Sequence, residues 1–184
     1  RRRGGVIMSA GNPGYLALHT SGELKNRAER AFDLLGECTL CPRRCGADRT
    51  AGPAGFCRTS DKARVASVGP HFGEERPLVG TGGSGTVFFN SCNLLCSFCQ
   101  NYDISHGNQG TAVDPGELAG MFLSLQGAGC HNINLVTPSH VVPQCLRALD
   151  IAAARGLRLP VVYNTGGYDS VTVLRLLEGV VDIY

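Results

Sequence analysis

The sequence has no Trp and no apolar run long enough to cross a membrane, and only 17% of its 184 residues carry charge. Each absence excludes something. A membrane-spanning helix needs about 20 apolar residues. In the opening stretch RRRGGVIMSAGNPGYL, Gly and Pro interrupt the pattern before a signal core can form, so no membrane partner and a cytoplasmic setting are expected. Met8, rather than Arg1, is the expected biological start. Seventeen basic residues against fifteen acidic ones leave a net +2, and the only basic run is Arg1 to Arg3, so no nucleic-acid partner is expected. At 43% hydrophobic, the chain is not a disordered tail and has enough apolar content for one core.

Cysteine, by contrast, is abundant: there are nine, an odd number. Seven fall in two groups, CTLCPRRC with GFC downstream and then CNLLCSFC, while Cys130 and Cys145 stand alone. Close CxxC spacing in a cytosolic chain reads as metal binding more readily than as a disulfide scaffold. Cys145 shares an apolar helix face with Leu149 and Ala152, and Cys130 precedes a strand, so both read as core packing.

Three segments follow from the patterning: an N-terminal extension and helix (1–36), a Cys-rich metal-binding module (37–80) and an alternating strand–helix region (81–184). Leu24, Ala28, Ala31 and Leu35 predict a helix from about Gly22 to Leu35, with Thr20 and Glu23 as a capping box. Gly, Pro and Cys from Glu37 to Thr59 predict an irregular loop wrapped around a metal. Strands are expected at Thr86–Asn90, Asn132–Thr137, Pro160–Asn164 and Val181–Tyr184. Helices are expected at Pro115–Gln126, Val141–Ala154 and Ser170–Glu178. Asp114, Pro115 and Glu117 supply an N-terminal cap, and Gly156 and Gly179 supply stops. Strand–helix alternation implies a parallel sheet. A complete eight-fold barrel takes about 250 residues, so the expected fold class is α/β, a partial, truncated (β/α) TIM-like barrel behind the Cys-rich irregular module.

Cys92, Cys96 and Cys99 supply three thiols from one short run. A [4Fe-4S] cube ordinarily takes four thiolates, one per iron, so three leave one iron open to a chelating ligand. Read instead as a helix stripe, the three would be small core residues. Asn93, Ser97, Gln100 and Asn101 around them, and the apolar VFFN just before, place them in the loop at a strand's C-terminal end, where parallel α/β folds bind ligands. Cys38, Cys41, Cys45 and Cys57 form a second set, whose four thiols suit either zinc or a second iron–sulfur cluster. GTGGSG, from Gly80 to Gly85, matches a dinucleotide fingerprint but precedes a strand, so it reads as an entry turn. His71, His106 and His140 lie near these motifs and read as structural or solvated, and the adjacent acids Glu74 and Glu75 as solvent-facing.

CxxxCxxC with an aromatic residue, Phe98, before its last Cys resembles the signature of the radical S-adenosylmethionine superfamily. The longer run GSGTVFFNSCNLLCSFCQNYDISH, with LCPRRC upstream and HFGEE between, resembles the branch of pyruvate formate-lyase activating enzyme-like iron–sulfur proteins. The resemblance implies that Cys92, Cys96 and Cys99 ligate a [4Fe-4S] cluster and that Phe98 packs beside the adenine of S-adenosylmethionine. That family often carries Gly-Gly-Glu after its second strand. TPSH stands there here, so Thr137 and Ser139 are the expected contacts, with Asn164 and Thr165 reaching the ribose or carboxylate from the next loop. It further implies reductive cleavage of S-adenosylmethionine to methionine and a 5′-deoxyadenosyl radical that abstracts hydrogen, with no protein acid or base in a catalytic role. The implied partners are an electron donor such as flavodoxin or ferredoxin and a protein substrate. A non-catalytic iron–sulfur or zinc protein, for electron transfer or scaffolding, is the alternative.

Overall fold

Runs of β-branched and aromatic residues form the strands, and the helices between them cover one sheet face. The computed structural model describes residues 11–107 and 109–184. Arg1 to Arg3 and Met8 lie outside the described residues. In order, the elements are α1 (Gly14–Thr20), α2 (Glu23–Asp33), β1 (Ala63–His71), α3 (Arg76–Val79), β2 (Ser84–Phe89), α4 (Tyr102–His106), β3 (Thr111–Val113), α5 (Pro115–Gly127), β4 (Ile133–Val136), α6 (Val142–Ala154), β5 (Val161–Asn164) and α7 (Val171–Leu177).

These strands form one five-stranded sheet in the order β3-β1-β2-β4-β5. β2, β4 and β5 run parallel, whereas β1 pairs antiparallel with both β2 and β3. The partial (β/α) TIM-like barrel expected from the sequence is therefore overturned: the fold is a mixed, open α/β sheet. Barrel closure would bring a parallel strand to the outer edge of β2. That edge is taken by β1, from Val65 against Phe89 to His71 against Ser84. The expected strand at Val181–Tyr184 reaches the right neighbour but makes a single bridge, Val162 with Ile183.

Strict alternation sorts the two sheet faces. Val87, Phe89, Ile133, Leu135, Val161 and Tyr163 join one continuous core with Leu24 and Ala28 of α2, Leu118 and Phe122 of α5, and Leu146 and Leu149 of α6. Thr86, Phe88, Asn134, Val136 and Val162 belong to the opposite face. Asp114 caps α5 in a full capping box, accepting from the Glu117 N–H at 2.9 Å while Glu117 accepts from the Asp114 N–H at 2.8 Å. The box expected at Thr20 does not form. Thr20 ends α1 and donates its hydroxyl to the Leu16 carbonyl, and Gly22, at φ 80°, begins α2 instead. Gly156 and Gly179 take left-handed conformations after α6 and α7, as the stop signals predicted.

Candidate metal centre and adjoining cavity

The three thiols of the CxxxCxxC run lie in an irregular loop between β2 and α4, not on a helix. Its entry is pinned. Asn90 is buried, donates its side-chain amide to the Ile104 carbonyl at 2.8 Å, and accepts at its own carbonyl from His140 Nε2 at 3.0 Å. Ser91 and Leu95 hold φ of 71° and 53°, left-handed values that non-glycine residues rarely adopt and that cluster at functional loops. Cys92 is buried, while Cys96 and Cys99 are half-buried. The Leu94 N–H donates to Cys92 Sγ at 3.3 Å and the Ser105 hydroxyl to Cys99 Sγ at 3.4 Å. Such bonds stabilise thiolate sulfur and tune a cluster.

Among the described residues, no three His, Cys, Asp or Glu side chains stand at the spacing of ligands on one ion. Each thiolate of a cube binds a different iron, so a cube does not require its thiols to converge on one point. The donor set of three uncombined thiols with hydrogen bonds to sulfur fits that group.

Beside this loop lies a cavity of about 510 Å³, within the usual range for small-molecule sites. Gln100 and Asn101 wall it from the cysteine loop, Thr137 from the loop after β4, and Asn164 and Thr165 from the loop after β5. His71, the last residue of β1, and Glu74 and Glu75 after it close another side. Glu74 accepts from, or pairs with, His71 Nδ1 at 3.1 Å and is half-buried, whereas Glu75 is exposed as expected, and both line the site. Carboxylates there favour a cationic ligand. Thr137 is β-branched yet has φ 60°, fixed by its N–H donating to the Asn164 carbonyl at 2.9 Å.

Other expected contacts are placed differently. Phe98 is 89% exposed and does not line the cavity. Ser139 lies off it, and its hydroxyl meets Thr165 Oγ1 at 3.0 Å. Thr165 donates to Asp169 at 2.8 Å and accepts from the Gly167 N–H at 3.1 Å, so Ser139 must be the donor between them. Tyr163 donates to the same carboxylate at 2.8 Å. Burial, reinforced by Asp169, pushes its phenol far above the ordinary value and keeps it a donor. These hydroxyls hold the loop after β5.

All four upstream cysteines line a second, small cavity of about 10 Å³. Cys38 and Cys57 are buried, Cys41 is half-buried and Cys45 is exposed. Burial pushes the Cys41 thiol up, and Cys38 and Cys57 nearby add to the effect. At Cys45 burial raises the thiol, but hydrogen bonds from the Ala47 and Phe56 N–H groups and from Cys38 outweigh it and hold the group below its ordinary value. A Cβ on Gly55 would stand 2.7 Å from Cys45 Sγ, so only glycine leaves that sulfur its notch.

Two arginines of this module escaped the reading of the sequence, as did β1. Arg43 donates to the Asn93 carbonyl at 2.6 Å and to the Leu94 carbonyl at 3.3 Å, tying the upstream loop to the CxxxCxxC loop. Arg49 is 1% exposed, and its guanidinium donates to the Thr59 and Ser60 carbonyls and to Cys38 Sγ. Basic residues inside a thiol-rich run, CPRRC and then DR, were the available signal.

No protein-family model and no solved structure matches the chain. It is 33% identical over 165 residues to an uncharacterized protein of Methanocaldococcus jannaschii, a match covering 86% of this chain and 47% of that one. The chain thus spans about half the length of the curated relative it matches. No helix among the described residues is long and apolar enough to cross a membrane.

Proposed function

We propose that the chain is the cluster-bearing part of a cytoplasmic radical S-adenosylmethionine enzyme, with Cys92, Cys96 and Cys99 ligating a [4Fe-4S] cluster. The observation that carries this reading is the three-thiol loop at the C-terminal end of β2 beside a cavity shared with the loops after β4 and β5. When bound, the cluster supplies the electron that cleaves the sulfonium of S-adenosylmethionine to methionine and a hydrogen-abstracting 5′-deoxyadenosyl radical.

The protein's own task is to bind, orient and shield. Gln100, Asn101, Thr137 and Asn164 offer polar contacts from three loops. Glu74 and Glu75 attract the sulfonium charge. Ser139, Thr165, Asp169 and Tyr163 position the loop after β5 through their hydrogen-bond chain. Electrons come from a small donor of the flavodoxin or ferredoxin kind, and the radical acts on a protein substrate, as in the activating enzymes that the sequence resembles.

The whole protein, purified and reconstituted without oxygen, should release 5′-deoxyadenosine from S-adenosylmethionine with dithionite, and Cys96→Ala should reduce release at least a hundredfold. A fully cluster-loaded preparation that releases none would refute the reading. It would leave the alternative, a non-catalytic electron-transfer or scaffolding protein, which the outward position of Phe98 favours.

A further inference from the structure

We propose that Cys38, Cys41, Cys45 and Cys57 hold a single zinc ion, and that Arg43 carries the order of this site to the backbone of the CxxxCxxC loop. The zinc assignment does not depend on what that loop carries.

Size favours one of the two groups that spacing left open. The cavity that all four cysteines line is about 10 Å³, roughly one water-sized sphere. As the thiols stand, that room is nearer to one ion than to a cube of four irons and four sulfides. Four thiols with no open position are the donor set of a closed, structural zinc site. The backbone is already folded for it. The Cys38 N–H donates to the Ala47 carbonyl and the Gly46 N–H to the Cys38 carbonyl, while Arg44 and Gly46 adopt φ of 42° and 64° to turn the chain.

Charge supplies an independent argument. Arg49 is buried, and among the described residues no carboxylate pairs with it. Its partners are two carbonyls and Cys38 Sγ at 3.8 Å. A buried cation without a counter-charge is costly. Zinc bound by four thiolates carries a net charge of −2, as does a [4Fe-4S]2+ cube on four thiolates, so the guanidinium argues for a metal held by these sulfurs and size for which one. The sulfurs share the cavity without standing at ligand spacing. The ion therefore closes the site by drawing half-buried Cys41 and exposed Cys45 onto Cys38 and Cys57.

Arg43 lies between Cys41 and Cys45, so the ion fixes both ends of its segment. The guanidinium stacks 3.3 Å from the centre of the Phe56 ring and grips the carbonyls of Asn93 and Leu94, the two residues that follow Cys92. Asn93 itself lines the small cavity and donates its side-chain amide to the Tyr168 carbonyl. Arg43 is thus a positioning residue for the cluster loop.

The test uses the full-length protein with Cys92, Cys96 and Cys99 all changed to Ala, expressed with both metals supplied and assayed for metal and acid-labile sulfide. About one zinc per chain and no iron is expected. Stoichiometric iron with sulfide, or folded protein without metal, would overturn the assignment. The unaltered protein, stripped of oxygen-labile iron by air and chelator, is the second preparation and should keep the same zinc. Cys45→Ala, at an exposed position, should weaken zinc binding at least tenfold. Arg43→Ala should keep zinc yet speed amide exchange in residues 93–99 at least tenfold, with Arg43→Lys in between. Unchanged exchange would overturn the relay. None of these readouts requires cleavage of S-adenosylmethionine, so failure of the enzymatic reading would be seen separately.

Discussion

Thr137 combines a β-branched side chain with φ 60° at the wall of the larger cavity. A left-handed β-branched residue costs about 1–2 kcal/mol, so Thr137→Gly should leave stability unchanged or raise it by about 1 kcal/mol while weakening S-adenosylmethionine binding. Denaturant titration beside ligand titration separates these effects. A stability loss would mean that the side chain serves packing alone. Cys145 makes a different point. Burial pushes its thiol far above the ordinary value, so its folded form resists ionisation. A raised folded pKa contributes stability that is fully present below the unfolded value of about 9 and is lost as pH rises beyond it. Native protein at pH 8.5 should therefore leave Cys145 unalkylated by iodoacetamide, as peptide mass analysis would report. Between pH 9 and 10 stability should decline, and Cys145→Ala should flatten that decline.

Among the elements, β2 passes close to the residue that precedes β4. A Cβ on Gly85 would stand 2.5 Å from the Asn132 carbonyl oxygen and 3.2 Å from Leu125 Cβ, so backbone would have to move. Gly85→Ala should destabilise the chain by roughly 1–3 kcal/mol, measured by urea unfolding, and should loosen the loop that follows β2. At α5 the capping box is exposed, so Asp114→Ala should cost about 1 kcal/mol without touching either cavity. The GTGGSG run is where local signals and tertiary contacts meet. It was legible as an entry turn because it precedes a strand, but the close approach at Gly85 depends on Asn132, distant in sequence.

Across the whole molecule, one core joins α1 and α2 to the sheet, α5, α6 and α7. Leu24 is fully buried on α2, and Leu24→Ala should cost about 2–5 kcal/mol in a single transition seen alike by far-ultraviolet circular dichroism and tyrosine fluorescence. Separate transitions would show that the N-terminal helices fold apart from the sheet.

The sequence by itself determined the parallel strands β2, β4 and β5, the helices α5 and α6, the α5 cap and the two thiol groups. All of these rest on local periodicity, capping chemistry or spacing, which act over a few residues. Only the tertiary structure decided that β1 occupies the outer edge of β2 and opens the sheet, because pairing between strands is a choice among distant partners. Only it brought Glu74 and Glu75 to the cavity wall, turned Phe98 outward and set Arg43 across to the cysteine loop. Those placements follow from how separate segments pack and from where a buried charge or donor finds a partner. Neither is written in the spacing of neighbouring residues.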